Sequence, residues 1–326
     1  MAEVYAVQTS AMTCPYARNN MTMDTTRPRQ RMSAQERRDL FKGILFVAPW
    51  ILGFLAFQIY PLLSSFYYSL SSYDVLRPPV FIGLRNYVDL FNDRFFHISL
   101  SNTLYYVVFA VPGGVIVGFI LASLLNLNLK LRSVLRTIFF LPSIVPQFVS
   151  AMVWLWIFNQ QYGLINMFLF SLGAKGIPWL SSPAWAKPSL IIISMWGSGT
   201  TMVIFLAALQ DVPRELYEAA RLDGAGSLQE LLSITIPLVT PSVLFNLLMG
   251  MIGAFQYFTF AWIMTRGGPV RSTEFFGLYL YRNAFELFRM GYASAMAWIL
   301  FFITVTTALI IFRTSARWVY YGGERL

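Results

Sequence analysis

The sequence is poor in the residues on which most enzymatic and metal chemistry depends. It has one cysteine, Cys14, and one histidine, His97. A single cysteine excludes an internal disulfide and a cysteine metal cluster, and a single histidine excludes a two-histidine zinc motif. Charge is scarce: 12% of the 326 residues are Asp, Glu, Lys or Arg, against about 25% in soluble domains. No G-x-x-x-x-G-K-[ST] loop occurs, so ATP hydrolysis, if it is used, belongs to another subunit. The long apolar runs also lack Asp, Glu, Lys and Arg away from their ends. Ion-coupled carriers and proton pumps usually keep such groups at mid-membrane to hold the coupling ion, so a self-powered mechanism is disfavoured. No nucleophile–base pair or metal set for a membrane-embedded hydrolase is present.

What the chain has instead is apolar surface, 57% of its residues. Runs of 18 or more apolar residues mark transmembrane helices. Six are expected, over about 42–68, 101–127, 134–158, 188–210, 241–265 and 291–312, in an all-α polytopic membrane protein. Pro49 and Pro61 fall in the first run, and Pro142 and Pro146 in the third. The net charge of +9 forms no continuous stripe of the kind that binds nucleic acid; the basic residues flank the apolar runs. With the N-terminus inside, the inner segments hold Arg27 to Lys42, then Lys130, Arg132 and Arg136, then Arg214 and Arg221, then Arg313, Arg317 and Arg325. The positive-inside bias therefore puts both termini in the cytoplasm. Residues 1–40 lack the apolar stretch of a cleaved signal peptide and are expected as a disordered basic tail, solvated or touching anionic membrane lipid. Residues 316–326 form a second cytoplasmic tail.

Within the runs lie neutral polar and aromatic residues: Gln147; Trp196, Ser198, Thr200 and Thr201; Asn246, Gln256 and Tyr257. Singly, each is at home as hydrogen-bonding glue between helices. As a set they suit a path for an uncharged, hydrogen-bonding solute. Trp196, Gly197 and Thr200 fall within about one helical turn, and Gly250, Ala254 and Tyr257 recur at helical spacing with Gln256 beside them. The small residues leave room, and Tyr257 offers a flat apolar face and a hydroxyl.

One stretch is out of character. "EAARLDGAGSLQELLSITIP", Glu218 to Pro237, carries four charges and a Gly-Ala-Gly run between two apolar spans. Asp211 with Pro213 marks a helix start, and Gly224 is a natural helix stop. Ser227 with Glu230 fits a capping box that opens a second helix. Pro237 and Pro241 then interrupt the backbone where the next span starts. Read by itself, this bent bracket is either an ordinary amphipathic loop or a helix built to enter a partner's groove.

Glu218-Ala219-Ala220, Asp223-Gly224-Ala225 and Ile234-Thr235-Ile236-Pro237 resemble the EAA loop of bacterial ABC importer permeases. "FIGLRNYVDLF" (Phe81–Phe91), "NTLYYVV" (Asn102–Val108), "LPSIVPQFVSAMVWLWIFNQQYGLIN" (Leu141–Asn166) and "TRGGP" (Thr265–Pro269) resemble the carbohydrate-uptake branch of that family. The resemblance covers about residues 40–315. It departs from the family at Leu228 and Leu231, where aromatic residues are common.

The resemblance implies a type I permease fold in the bacterial inner membrane. It implies a second, similar permease subunit, two ATPase subunits that hold ATP and magnesium, and an external solute-binding protein. No cofactor is expected in this chain. The loop 211–240, with Glu218, Ala219, Ala220, Asp223, Gly224, Ala225, Ile234 and Pro237, would couple to the ATPase. The spans on either side of it would build the solute site, with Gln147, Trp196, Gly197, Thr200, Gly250, Ala254, Gln256 and Tyr257 on the path. A sugar or oligosaccharide is the expected solute. The alternative is another solute, such as glycerol phosphate, amino acids or peptides, because a shared fold does not set the substrate.

Overall fold

The computed structural model describes residues 33–128 and 130–320. Cys14, Arg27, Arg29, Arg31 and Arg325 lie outside the described residues. The chain divides into two compact units, Met1–Tyr60 and Pro61–Leu326. The first contains α1 (Ala34–Phe54), which starts inside the stretch expected as tail, and a π turn over Leu55–Ile59. From Gly43 on, its residues are apolar on all sides and mostly exposed, with Trp50 stacked on Phe54 at 5.5 Å between ring centres. A helix apolar all round needs lipid or another helix as its solvent.

The second unit opens within α2 (Tyr60–Ser69), at Pro61, and continues with a two-residue antiparallel pairing of β1 (Ser71–Ser72) with β2 (Val80–Phe81). Then come α3 (Arg85–Asn92), α4 (Arg94–Asn126), α5 (Arg132–Ile144), α6 (Gln147–Ile157) and α7 (Leu164–Ser171). They are followed by α8 (Pro183–Trp196), α9 (Gly199–Gln210), α10 (Arg214–Leu222), α11 (Ser227–Glu230) and α12 (Ile236–Phe255). The last two are α13 (Phe276–Tyr281) and α14 (Met290–Ser315). Four helical stretches are long and apolar enough to cross a membrane: Arg37–Ser69, Arg94–Asn126, Ser227–Phe255 and Met290–Ser315. The number rises to six if the bent pairs α5–α6 and α8–α9 each count as one.

The spine is α4, about 50 Å long at 1.5 Å per residue. Three buried clusters succeed one another along it: one with Phe96, one with Tyr106, Val107 and Ala110, and one with Ala122 and Leu125. Small residues let its neighbours approach closely. A Cβ at Gly118 would lie 2.5 Å from Thr201 Cγ2, and one at Gly199 would lie 2.8 Å from the Phe139 carbonyl oxygen.

Far down the chain, residues 266–289 fold back onto the start of α4. Asn102 donates to the carbonyls of Arg271 (2.9 Å) and Glu274 (3.1 Å), and the Phe276 N–H donates to Thr103 Oγ1 (2.8 Å). Glu274 is buried and held by both oxygens on Arg282 at 2.6 and 2.7 Å. Asp93 caps α4 and accepts from the hydroxyls of Tyr279 (2.5 Å) and Tyr292 (2.6 Å). Burial pushes the Asp93 carboxyl up. The hydrogen bonds from the two tyrosines and from the backbone of Phe95 and Phe96 outweigh it, so the carboxyl sits below its ordinary range.

Three expectations need correction. The third expected span is not one rod: α5 and α6 meet at 100°. Val145 and Pro146 are extended (ψ 130° and 136°) because a proline pushes its predecessor out of helical geometry and cannot itself continue the ladder. The span expected over 241–265 begins much earlier, at Ser227, and its helix stops at Phe255. Pro237 and Pro241 do not interrupt it. Pro237 removes the donor for the Ser233 carbonyl, and the preceding turn widens into a π turn over Leu231–Thr235, closed by the Ile236 N–H on the Leu231 carbonyl.

Candidate solute path and coupling element

Three backbone breaks converge on one cavity of about 420 Å3. The first is the α5–α6 corner at Val145 and Pro146. The second is the 45° bend between α8 and α9 at Gly197 and Ser198, with 14 helical residues before it and 12 after. The third follows α12, where the helix ends at Phe255 and resumes after Phe258. Val145, Gly197, Ser198 and Tyr257, each at a break, line the cavity. Helix ends leave backbone donors and acceptors unspent. α6 and α9 start here with no side-chain cap, so the partial positive ends of two helices lie beside the cavity.

Seven of the eight expected path residues line this cavity: Gln147, Trp196, Gly197, Thr200, Gly250, Ala254 and Tyr257. Gln256 does not; it caps α12 and is exposed. Ser198, Thr201 and Asn246 line it as well, and no lining residue is charged. The sequence reading missed the contribution of α4, which supplies Tyr106, Ala110 and Gly114, and the hydroxyls of Ser143, Ser150 and Ser194. The run of small residues Gly113, Gly114 and Gly118 in α4 is the signal that could have found it, because small residues in a membrane helix mark a close approach or an opening.

Tyr257 is the centre of the aromatic wall. Its ring lies 4.1 Å from that of Tyr106, centre to centre, and 5.2 Å from Phe275, edge to face. Its hydroxyl is buried with no well-formed hydrogen bond among the described residues. Such a group costs about 1–3 kcal/mol unless something occupies it. Trp196 meets Trp154 edge to face at 5.5 Å and lines the cavity. The lining is therefore aromatic rings beside amides and hydroxyls, without a formal charge.

The second element is the bracket α10–α11. Gly224 has φ +83°, and the helix stop is a Schellman motif: Ala225 N–H reaches the Ala220 carbonyl (2.9 Å) and Gly224 N–H the Arg221 carbonyl (3.1 Å). The expected capping box does not form. Gly226, not Ser227, is the cap of α11, and no side chain completes it. Glu230 turns instead to Arg221, accepting from Nε at 2.8 Å and Nη2 at 3.4 Å, a charge-assisted pairing that outcompetes a neutral backbone N–H. A second tie joins the Tyr217 hydroxyl to Thr235 Oγ1 at 2.9 Å. Both ties thus latch the first arm, α10, to the second, which runs on through the π turn into α12.

The expected coupling residues separate into two groups. Glu218, Ala219, Asp223 and Gly224 are exposed, with Ala220 and Ala225 half-buried at the elbow. Ile234 and Pro237 are half-buried, and Ile234 packs against the buried cluster of Leu209, Val212 and Val239. Around the elbow Leu222 is 90% exposed and Leu228 69%, an apolar rim on an otherwise charged element.

Residues 114–320 match the family model described as binding-protein-dependent transport system inner membrane component. The chain is 40% identical over 299 residues to the Probable ABC transporter permease protein YesP of Bacillus subtilis (strain 168), covering 90% of this chain and 96% of that protein. It is 35% identical over 283 residues to the trehalose/maltose transport system permease protein MalF of Thermococcus litoralis, covering 86% and 95%. Its fold matches a chain of the bacterial alginate ABC transporter in complex with an alginate pentasaccharide-bound periplasmic protein, with a TM-score of 0.75 and 23% identity, over 87% of this chain and 96% of that one. A match over well over half of the chain, together with relatives of this identity and coverage, makes this chain a member of the binding-protein-dependent inner-membrane transport components, a permease subunit and not an enzyme.

Proposed function

We propose that this permease passes a neutral sugar or oligosaccharide through the cavity at the three helix breaks, driven by ATPase subunits docked on the bracket. The observation that carries the sugar is the chemistry of the lining: the rings of Tyr257 and Trp196, the amides of Gln147 and Asn246, hydroxyls, and no charged side chain. A sugar ring has apolar C–H faces and hydroxyls, which pair with these groups. Glycerol phosphate or an amino acid would bring a full charge, and no charged side chain in the lining of this chain meets it. The trehalose/maltose system of a relative and the alginate transporter of the matching structure place other members of this fold with carbohydrates, although alginate is an acidic polysaccharide.

In the whole importer the chain crosses the membrane six times with both termini in the cytoplasm. The bent pairs α5–α6 and α8–α9 are the third and fourth crossings. Residues 41–315 form the permease domain between two cytoplasmic tails. It pairs with a second permease; two ATPases, which bind ATP and magnesium, grip the two brackets, and an external binding protein delivers the solute. The exposed leucines at the elbow, with Glu218 and Gly224 beside them, support the bracket as the docking surface. α12 runs from the bracket to Gly250 and Ala254 in the cavity wall. Movement of the bracket therefore acts on the solute site through one helix, biasing an inward–outward equilibrium.

Two experiments test this. In a chain with Cys14→Ser, single cysteines replacing Ser33 and Tyr162 are expected to label oppositely: the second with an impermeant maleimide in intact cells, the first only after lysis. The reverse pattern would invert the topology. Tyr257→Ala is expected to cut uptake of labelled maltose or trehalose by about tenfold, the worth of one aromatic face, with complex assembly and basal ATP hydrolysis kept. Failure of that variant to assemble would make Tyr257 a packing residue and move the solute site elsewhere.

A further inference from the structure

A second cavity, of about 660 Å3, lies at the other end of α4 and α9, between the start of α5 and the bracket. Its chemistry is the opposite of the first. Arg132, Arg214 and Arg221 line it against one carboxylate, Glu218, with the amides of Asn126 and Gln210 between them. Arg221 is committed to Glu230. Arg132 and Arg214 form no ion pair among the described residues, and the Arg132 Nε is buried with no hydrogen-bond partner among them. A guanidinium nitrogen kept from water without an acceptor is costly, and a cavity of this size beside it has room for one.

The two uncommitted arginines are also the first residues of α5 and α10, and neither helix has a side-chain cap. Each start therefore adds free backbone N–H groups and the positive end of a helix to the same cleft. Two planar guanidinium forks and two helix starts offer more donors than a carboxylate has oxygens; a phosphate, with at least two anionic and further acceptor oxygens, matches them. Glu218 opposes an anion, but it faces two unpaired guanidiniums.

We propose that this cavity binds a phosphate-bearing anion, either the headgroup of an anionic phospholipid or free phosphate, and that the bound anion braces the bracket against the ends of α4 and α9. Its position on the cytoplasmic side rests on the topology proposed above; the binding does not. Basic pockets at the cytoplasmic ends of membrane helices are where anionic headgroups are held.

The test uses the importer purified whole, with its partner subunits. One arm counts phosphatidylglycerol retained by the complex, by intact-complex mass measurement, after incubation in phosphatidylcholine vesicles containing that lipid. The other measures binding of labelled orthophosphate in phosphatidylcholine nanodiscs, with the nucleotide sites blocked by vanadate-trapped ADP. The proposal expects binding in at least one arm, weakened about tenfold or more by Arg132→Gln with Arg214→Gln, the worth of one lost hydrogen bond to a charged group. Retention in the first arm alone identifies a lipid headgroup; binding in the second identifies free phosphate. The paired Lys substitutions, which keep the charge and lose the fork, are expected to bind in between. If the glutamine pair does not assemble, each single substitution is read in the same assays. Equal binding by wild type and glutamine variants in both arms, or an equal loss on Arg317→Gln, overturns the site. Sugar uptake is not read, so failure here leaves the solute path untouched.

Discussion

Gly224→Asp is expected to abolish solute uptake while leaving the permease folded in the membrane. Two costs compete at this position. The first is internal: Gly224 has φ +83°, a conformation that costs an ordinary residue about 1–2 kcal/mol. Asp tolerates it better than most, and a Cβ here would meet nothing within 4 Å. The chain can therefore carry the substitution. The second cost falls on docking. The empty space around Gly224 is where the ATPase is proposed to stand, beside Glu218, Asp223 and the exposed Leu222. A carboxylate there adds charge and bulk to a face meant to close against another protein, and burying an unpaired charge is far costlier than the backbone strain. Gly224→Asn carries nearly the same shape and strain without the charge, and separates the two terms. The measurements are uptake in cells and recovery of the ATPase with the purified permease. Normal transport by Gly224→Asp would count directly against the bracket as the coupling element.

Gly118→Leu is expected to remove most of the folded protein. The ideal Cβ position is 2.5 Å from Thr201 Cγ2, 2.9 Å from Thr201 Cβ and 3.3 Å from the Met202 backbone nitrogen. The closest of these is roughly 1 Å short of ordinary carbon contact. A change of Thr201 rotamer, of which a helix allows two, moves Cγ2 but leaves Thr201 Cβ at 2.9 Å and the Met202 nitrogen at 3.3 Å. α4 and α9 would have to part along the seam that buries Ala122, Met202, Phe205 and Leu206. Overpacking of this kind costs about 1–3 kcal/mol when the neighbours can yield and more when they cannot. The loss is read as membrane yield and as melting temperature in detergent. Thr201→Gly in the same chain should recover part of both. An unchanged melting temperature for Gly118→Leu would mean that α4 and α9 are not packed this closely.

Much of the architecture is legible in the residues, because lipid imposes a length and an apolar composition on each crossing. The runs around α4 and α14 coincide with helices, and the lysines and arginines mark their ends. Trp196, Gly197 and Thr200, grouped by helical spacing, all line the cavity, although the helix breaks between them at Gly197 and Ser198. Spacing misleads at Gln256. The 3.6-residue period that groups Gly250, Ala254 and Tyr257 holds only while the helix lasts, and the helix ends at Phe255. After that point Gln256 points away, and Tyr257 reaches the cavity through an irregular turn. The Ser227–Glu230 pattern misleads for a different reason: a capping box is a local bargain, and Arg221, nine residues before Glu230, makes a stronger offer once the bracket has bent. The share of the wall contributed by Tyr106 is not legible, since nothing local distinguishes that tyrosine from Tyr105, which lies outside the wall.

The fastening of residues 266–289 onto the start of α4 sets a timetable for synthesis. Asn102 takes its partners 169 and 172 residues later in the chain, and Asp93 takes its two tyrosines 186 and 199 residues later. At ribosomal speeds of about 5–20 residues per second, α4 waits roughly ten seconds or more before those groups exist. Through that interval Asp93 Oδ1 has the Phe95 N–H, but Asp93 Oδ2 and the Asn102 amide nitrogen lack the partners that later fix them. The nascent chain is then open to capture by a membrane chaperone, or to pairing with the wrong helix. The arrival of Glu274 closes that window for Asn102 and the arrival of Tyr292 closes it for Asp93, so truncation before Glu274 should leave a chain that inserts but is cleared by quality-control proteases.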